Sequence, residues 1–421
     1  MKKLPLFLAS GLLATIFLAS SAAFAAGQGS VWKSQDEYNA YTAMANEKDN
    51  QKKVALAEAF LQKFPDSGVK NYVYVAMMNA YQQLNDAPKA IETAKKLLEV
   101  DPNNLDALRY LSFAFPFTFK PDSADAASEL SRAESDAKHG LDLLSKLQKP
   151  ANMSDDQFQA ALKPVRAIFN SAVAFVAFAR KDYPTAITSY KAALEDNPND
   201  LYNIYRLGVA YLSSTPPDHN NGLWYVARAV SLARSGNTAD RPAMEKYLKD
   251  YFSRLFGCDS GAEDLISQAG SSATPPADLN LDPATKPEPT GSANVDAFNG
   301  FTYALKGPAA QAACVWPSLK GQPLQLGGFV NSVEKGADEK TYTVKVALDQ
   351  SKADSSFDII LEDSTQPTAA DLNTGDPVRF QGTISAYTTT PSFSLTLSDA
   401  KINDDDLAAA SAAAKKKPRK R

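Results

Sequence analysis

Residues 71–102, NYVYVAMMNAYQQLNDAPKAIETAKKLLEVDP, decide the fold of the first part of this 421-residue chain. Apolar side chains recur along this stretch at helical spacing, and a proline closes it. The recurring residues are Tyr74, Met77, Met78, Tyr81, Ala90, Ala94 and Leu97. Because residues three and four apart share one helix face, the pattern predicts two helices that pack as a hairpin. Pro102 ends the second helix.

Two later stretches repeat the pattern in phase. Residues 167–198 carry the matching residues Asn170, Val173, Ala174, Ala177, Ala186, Tyr190, Ala193 and Pro198. A unit that begins at Leu201 carries, with a small insertion, Ile204, Leu207, Gly208, Tyr211, Gly222, Val226 and Ala229. Such internal repetition indicates stacked helical hairpins, since each hairpin buries its apolar face against the next one.

These positions resemble the tetratricopeptide repeat (TPR) family, in which small residues let the two helices of a hairpin approach closely. The usual tryptophan of the first helix is absent, and Met78 stands where a small residue is usual. Residues 37–65 and 105–150 resemble degenerate units, the second interrupted by residues 116–121. The resemblance implies an all-α solenoid over residues 31–270, with about five repeats and a capping helix from Arg241 to Phe256.

The resemblance also implies a binding groove, because the first helices of TPR hairpins line a concave face. Its positions fall here on residues that are mostly aromatic or apolar. They are Tyr72, Asn79, Arg109, Phe113, Phe175, Phe178, Tyr202 and Tyr205. A groove of this composition would bind an extended or helical peptide through apolar anchors. The alternative is that these rings pack against the repeats' own insertion at residues 116–121 or against the linker that follows the repeats.

The N-terminus has the composition of an export signal. Two lysines precede an apolar run over residues 4–18, and the small-x-small sequence Ala23-Phe24-Ala25 follows. The run is shorter than the ~20 apolar residues that a bilayer span needs. We therefore predict a cleaved signal peptide at residues 1–25, with a retained membrane anchor as the alternative. No later segment is expected to span a membrane, and the mature protein is expected to be soluble and periplasmic or extracellular.

A proline-rich stretch follows the repeats. Five prolines within residues 275–289 predict an extended linker, because such a composition buries little apolar surface. We place the domain boundary at residues 271–294. Beyond it, a helical stretch leads into segments of alternating hydrophobicity, which predict a small all-β barrel over residues 295–403. Residues 327–333 and 375–384 resemble the first and fourth strands of OB-fold domains, in which a glycine allows sharp coiling of the strand.

Charge argues against nucleic acid as the ligand of this barrel. Between Gln322 and Asn403 there are six basic and eleven acidic residues, whereas a polyanion is bound by Lys and Arg that neutralise its phosphates. A local patch around Arg379 and Tyr387 is the remaining alternative. The whole chain is mildly acidic, with a formal net charge of -4. Nucleic acid is therefore not the expected partner.

The last residues reverse the sign of the charge. Residues 404–421 begin with three aspartates and an alanine-rich run, and six of the last seven residues are cations. The cations are Lys415, Lys416, Lys417, Arg419, Lys420 and Arg421. We predict a disordered tail that would be attracted to anionic lipid or polymer. A purely solubilising end is the alternative.

No sequence motif predicts catalysis. The chain lacks a Gly-x-Ser-x-Gly elbow, a phosphate-binding glycine loop, a His-Glu-x-x-His motif and a Cys-x-x-Cys motif. Its two histidines and two cysteines leave too few soft ligands for a usual four-ligand zinc site, so no metal or cofactor is expected. Cys258 and Cys314 flank the linker and could form a disulfide in an oxidising compartment.

The whole arrangement resembles exported bacterial TPR proteins. It predicts a non-enzymatic interaction scaffold that holds a protein or peptide partner in the concave groove, with the barrel as a second binding or docking module. The alternative is a cell-envelope tether, held to anionic polymer or lipid by the basic tail.

Overall fold

The computed structural model describes residues 32–336 and 340–416. It confirms the predicted fold class, a solenoid-like array of helices followed by a closed five-stranded barrel. The chain divides into two compact units, one up to Ala233 and one from Arg234 onward. The predicted signal peptide at residues 1–25 lies outside the described residues.

The first unit is built from helical hairpins. Its described helices are α1 (Gln35–Asn46), α2 (Asn50–Lys63), α3 (Lys70–Gln83), α4 (Ala87–Val100), α5 (Leu105–Thr118), α6 (Ala126–Lys146), α7 (Asp155–Ala179), α8 (Tyr183–Asp196), α9 (Leu201–Ser213) and α10 (His219–Ser235). The predicted helix pairs at residues 71–102 and 167–198 correspond to α3–α4 and to the later part of α7 with α8.

The hairpins α3–α4 and α7–α8 share one kind of turn. Asn85 and Lys181 adopt a positive φ, of 58° and 64°, at the point where the first helix ends. The next residue, Asp86 or Asp182, accepts a hydrogen bond from the backbone N–H three residues later, as a helix N-cap does. A proline occupies the first turn of each second helix, where its fixed φ suits the helix.

Small residues allow the paired helices to lie close together. Ala90, Ala94 and Ala186 have no exposed surface. At Gly208 of α9 an added Cβ would lie 2.7 Å from the backbone nitrogen of Val226 in α10. Because a backbone atom cannot rotate aside as a side chain can, only glycine permits this separation.

Helix α7 is longer than predicted. A capping box of Ser154 and Gln157 starts it at Asp155, well before residue 167. Its 25 residues are long and apolar enough to cross a membrane by length and composition alone, which corrects the expectation that no later segment would be. Half of its most apolar window is buried inside the protein, and core helices of soluble proteins satisfy the same test.

The second unit combines helices with the barrel. Its described elements are α11 (Arg241–Phe256), α12 (Ala262–Ser271), α13 (Ala293–Leu305), α14 (Ala309–Leu319), β1 (Pro323–Lys335), β2 (Tyr342–Ala347), β3 (Ile359–Ser364), β4 (Pro377–Thr388), β5 (Ser394–Ile402) and α15 (Asp404–Lys416). Short 3₁₀ helices lie at Gln350–Lys352 and Pro367–Asp371.

Two segments predicted to lie ahead of the barrel region belong to this second unit. Helix α11, expected to cap the repeats, lies beyond the division at Ala233. In the proline-rich segment, Leu281 is only 5% exposed. The backbone N–H of Ala284 donates to Oε1 of Gln311 at 3.3 Å. The segment expected to be a free linker is therefore held by contacts, which composition alone does not reveal.

The two cysteines of the chain are bonded to each other within this unit. The Cys258–Cys314 disulfide joins the turn after α11 to α14, with the two Cα atoms 5.5 Å apart. Next to it, an added Cβ on Gly261 would lie 2.9 Å from the Cβ of Ala310. The helical pair α11–α12 is thus attached to α14 both covalently and by close packing.

The barrel closes in the strand order β1-β2-β3-β5-β4. All strand pairs are antiparallel except β3 with β5. Its core contains Val330, Val344, Ile359 and Leu395, each with no exposed surface, and Phe298 of α13 packs against the same cluster. The alternation of apolar side chains along each strand thus faces one interior, as the sequence predicted.

The predicted disordered tail is helical over most of its length. Residues 404–416 form α15, and Leu407 and Ala410 are buried in the barrel's core cluster. The carboxylate of Asp406 pairs with Arg379 at 2.8 Å, which lowers the pKa of that carboxyl. The expectation of a disordered segment is therefore wrong for these residues. The buried side chains of Leu407 and Ala410 and the Asp406–Arg379 ion pair hold this helix on the barrel. Residues 417–421 lie outside the described part of the chain.

Candidate binding face of the helical repeats

An open cleft lies at the N-terminal end of the repeats. It has a volume of about 470 Å³ and is bounded by α1, α2 and α3. Its lining residues are Tyr41, Asn50, Lys53, Tyr72, Val75, Ala76, Asn79, Ala80 and Gln83. Two predicted groove residues, Tyr72 and Asn79, are among them. Tyr72 is 44% exposed, so this cleft is open to solvent.

The cleft combines two tyrosine rings with amide and ammonium groups. Tyr41 packs against Trp32, with ring centroids 5.1 Å apart, and burial raises the pKa of its hydroxyl, with a smaller contribution from Tyr72. Lys53 has no ion-pair partner among the residues that the structure describes. The site therefore offers two aromatic surfaces, three amide side chains and one uncompensated positive charge.

The next predicted residue, Arg109 of α5, is largely withdrawn from solvent. Its side chain is 16% exposed and lies 3.8 Å from Oδ1 of Asp106. The Nε–H group of Arg109 is buried and has no hydrogen-bond partner within the described chain. One turn further on, Phe113 contacts Phe117 with ring centroids 5.8 Å apart.

Farther along the repeats, the predicted groove residues are covered by rings from α5 and the residue after it. Phe117 packs edge-to-face on Tyr202 at 5.5 Å. Phe115 and Phe119 pack edge-to-face on Phe175 at 5.8 and 5.9 Å. At this end of the face the structure thus agrees with the alternative interpretation, in which the aromatic residues pack against the insertion at residues 116–121.

Arg206 lies at the centre of these rings. Its Cζ atom is 5.1 Å from the ring centroid of Phe175, 5.6 Å from that of Phe117 and 5.8 Å from that of Tyr202. Each distance is within the range of cation–π attraction. In the described part of the chain no carboxylate forms an ion pair with Arg206. The rings therefore provide the direct contacts of this guanidinium.

We call this group of Phe117, Phe175, Tyr202 and Arg206 the aromatic cluster. Sequence analysis missed the role of Arg206, which lies next to a predicted groove position but does not occupy one. The available signal was the spacing of Phe113, Phe115, Phe117 and Phe119, which places two pairs of rings about one helical turn apart on α5 and the residue after it. That spacing predicts that Phe113 and Phe117 share one side of the segment and that Phe115 and Phe119 share another. It does not predict which residues each pair contacts.

Phe178 and Tyr205, two further predicted groove residues, are half-buried. Phe178 contacts Tyr183 of α8 at 5.8 Å. Burial raises the pKa of the Tyr205 hydroxyl. Of the eight predicted residues, the structure thus brings Tyr72 and Asn79 to the open cleft and brings Phe175 and Tyr202 to the aromatic cluster.

In the barrel, both residues of the alternative local patch, Arg379 and Tyr387, have partners within the chain, although the Arg379 side chain is 60% exposed. Arg379 donates to Asn403 at 3.1 Å and pairs with Asp406, while the ring of Tyr387 packs against Trp316 at 4.8 Å. A wide cavity of about 640 Å³ on this unit is lined by Ser332, Val333, Lys335, Tyr342, Ala370, Leu372, Asn373 and Thr374. In the described ranges, 32–336 and 340–416, no three His, Cys, Asp or Glu side chains are grouped as metal ligands.

The basic tail is described only at its start. Lys415 is exposed near the end of α15, and Lys416 is the last residue of that helix. The remaining predicted cations, Lys417, Arg419, Lys420 and Arg421, lie outside the described residues.

Comparison with known proteins adds little to this description. No protein-family model matches the sequence, and no curated protein matches it. Among solved structures, the chain is similar to one titled "Crystal structure of PilW, widely conserved type IV pilus biogenesis factor", with 13% sequence identity and a TM-score of 0.30. That match covers 55% of this chain and 99% of the other. A similarity of this size carries no functional argument.

Proposed function

We propose that the chain is an exported, non-enzymatic interaction scaffold that binds an extended segment of a protein partner at its helical repeats. The observation that carries this proposal is the open N-terminal cleft with its two tyrosines, three amides and Lys53. The aromatic cluster fills the other end of the face, so the cleft is the part of the predicted groove that a partner can enter directly.

The chemistry of the cleft suits a polypeptide in extended conformation. Asn50, Asn79 and Gln83 each carry a donor and an acceptor, and such amides can pair with the N–H and C=O groups of a peptide backbone. Tyr41 and Tyr72 offer flat apolar surface at low entropic cost. Lys53 would favour a segment with an acidic residue near its anchor.

The disulfide supports an oxidising location. Both cysteines of the chain are used in the Cys258–Cys314 bond, and such bonds persist in secreted and periplasmic proteins but are rare in the cytosol. The barrel, whose strand order supports the resemblance to OB-fold domains, would serve as a second docking module.

A matched pair of variants tests the cleft. The Tyr72→Ala/Asn79→Ala double variant removes one ring and one amide from the lining. Tyr38→Ala removes an equally exposed tyrosine, 44% like Tyr72, that does not line the cleft. Each protein would be crosslinked in its native host, and the recovered proteins identified by mass spectrometry. We expect a discrete partner with the native protein and with Tyr38→Ala, but not with the double variant. Equal recovery with all three proteins would contradict the proposal.

A second candidate function is an envelope tether. It is favoured by α15, because the Asp406–Arg379 pair and buried Leu407 hold the start of the basic run on the barrel. A chain truncated after Ala414 should then lose salt-dependent retention in the envelope fraction. Unchanged retention of the truncated chain would exclude the tether.

A further inference from the structure

The last turn of α5 places an aromatic side chain of the protein itself on the concave face. Phe117 contacts Phe113 of its own helix, Tyr202 of α9 and the guanidinium of Arg206. The contacts to Tyr202 and Arg206 join α5 to α9. The guanidinium of Arg206 also lies over the ring of Phe175 in α7. One side chain from α5 thus covers the predicted groove residue Tyr202 on α9.

The rings of this segment divide into two sets with different surroundings. Phe115 and Phe119 pack with Leu130, Ala133 and Val176 in the core between α6 and α7. Phe115 and Phe119 also touch Phe175, whereas Phe117 contacts Phe113, Tyr202 and Arg206 and is not part of that core. Phe117 can therefore leave its place without exposing the core that Phe115 and Phe119 maintain.

The backbone just before Phe117 lacks one helical hydrogen-bond donor. Pro116 lies inside α5 and has no N–H, so the carbonyl of Ser112 lacks its usual helical donor. After it, the N–H of Phe119 donates to the carbonyl of Phe115 at 3.0 Å, and the Thr118 hydroxyl donates to the carbonyl of Ala114 at 3.1 Å. This last turn can consequently move at a lower cost than a regular helical turn.

We infer that Phe117 is an internal occupant of a seat for aromatic side chains formed by Tyr202 and Arg206, whose guanidinium also lies against Phe175, and that an aromatic residue of a partner segment takes its place. The inference rests on the proposed function in one respect, that a partner segment runs along the repeats. The seat itself follows from the contacts of Phe117 alone.

The chemistry of the seat selects an aromatic ligand. The edge-to-face ring of Tyr202 and the guanidinium of Arg206 favour a π-system, whose negative face attracts the cation and whose edge attracts a neighbouring ring. An aliphatic side chain would fill the volume without either interaction. Because the incoming ring would recover the contacts that Phe117 gives up, the exchange costs little, and Phe117 keeps the seat covered until such a segment is present.

The protein's own sequence supplies the probe. A fluorescent peptide would copy residues 113–121, Phe-Ala-Phe-Pro-Phe-Thr-Phe-Lys-Pro, and its binding to the full chain would be measured by fluorescence anisotropy. With Phe117→Ala we expect the peptide to bind at least tenfold more tightly than with the native protein. A peptide with alanine in place of Phe117 should lose that gain.

Phe119→Ala is the comparison protein, because it removes an identical ring two residues away that packs in the core between α6 and α7 and touches Phe175, whereas Phe117 contacts Tyr202 and Arg206. It should bind the peptide no better than the native chain. Binding to Phe117→Ala that is no tighter than to the native protein would overturn the inference, and so would equal binding by Phe119→Ala, which would indicate general loosening.

Two additional variants keep the test decisive. Should circular dichroism show that Phe117→Ala is unfolded, Phe117→Leu keeps most of the volume and removes the ring. It should show a smaller gain in peptide binding, and no gain would overturn the inference. The Tyr72→Ala/Asn79→Ala variant should leave peptide binding unchanged, so that failure of the cleft and failure of the seat give separate results.

Discussion

The two ends of the concave face have similar residue types but differ in accessibility. At the N-terminal end, Tyr72 is 44% exposed beside an open cleft. At the other end, Phe175 and Tyr202 are covered by rings from α5 and by Arg206. The difference comes from one degenerate repeat, whose first helix continues through Pro116 into an additional aromatic turn. A repeat that departs from its pattern can thus act as a ligand for its neighbours.

The largest expected difference between the two ends is in stability. Phe175→Ala removes the ring that contacts Phe115, Phe119 and Arg206, and it should lower the free energy of unfolding by about 2–3 kcal/mol. Tyr72→Ala, at an exposed ring of the cleft, should change it by less than about 0.5 kcal/mol. Urea unfolding followed by circular dichroism measures both, and similar losses would mean that the two ends do not differ as described.

A smaller loss is expected from the packing that positions α9. Gly208→Ala places a Cβ against the backbone of α10 and should cost about 2 kcal/mol. It should also displace Tyr202 and Arg206, which α9 carries, while binding at the N-terminal cleft stays unchanged. The control is Gly300→Ala, in a helix where an added Cβ meets nothing within 4 Å. That substitution should stabilise by up to about 1 kcal/mol.

The contribution of Arg206 is expected to be smaller again. Arg206→Lys keeps the charge but loses the flat guanidinium that stacks on rings, and it should cost about 1 kcal/mol. Lys53→Ala removes the unpaired cation of the cleft and should have almost no effect on urea unfolding. If Lys53→Ala proves as destabilising as Arg206→Lys, the contrast between a packed and a free cation is wrong.

The last predicted effect is a shared dependence on alkaline pH. Burial, and then its hydrogen bond to Glu58, raises the pKa of Tyr81 to about 12 from 10.0. A pKa raised in the folded state means that this stability is complete below pH 10.0 and is lost as pH rises towards 12. Tyr211 near the aromatic cluster also has a pKa raised to about 12, mainly by burial and then by Tyr225.

Tyr81→Phe should therefore remove only part of the alkaline loss of stability, because Tyr211 retains its share. The measurement is urea unfolding at neutral pH and at several values above pH 10. At neutral pH the variant should lose about 1 kcal/mol with the Glu58 hydrogen bond. An alkaline profile identical to that of the native chain would show that Tyr81 does not contribute.

Much of the fold could be predicted because its signals are local. The Asp-x-Pro starts of α4 and α8 and the alanines at matching positions specify helix ends and close packing within one hairpin. The period-2 pattern predicted the strands in the same way. The errors occurred where the partner lies far along the chain: Leu281 in the proline-rich segment, Leu407 in α15 and the division at Ala233.

The same difference between local signals and contacts of distant residues applies to the candidate site. Repeat positions identified Tyr72, Asn79, Phe175 and Tyr202 as residues of one face, since a residue's place on a helix follows from its spacing. The cover on two of them depends on Phe117, which is 85 residues from Tyr202 in the chain, as their numbers show. Arg206 was missed because its significance comes from three rings on three helices.

The sequence by itself therefore determined most of the helices and strands, the side chains buried in each hairpin and the residues that share a face, but not α15 or the start of α7. These properties depend on interactions over a few residues, where spacing and backbone preference decide. Only the tertiary structure decided which part of the face is open, which segments join the barrel unit and whether Cys258 and Cys314 are close enough to form a disulfide. Those outcomes depend on contacts between residues far apart in the chain. The pattern of residue types along the chain does not show which of these contacts form.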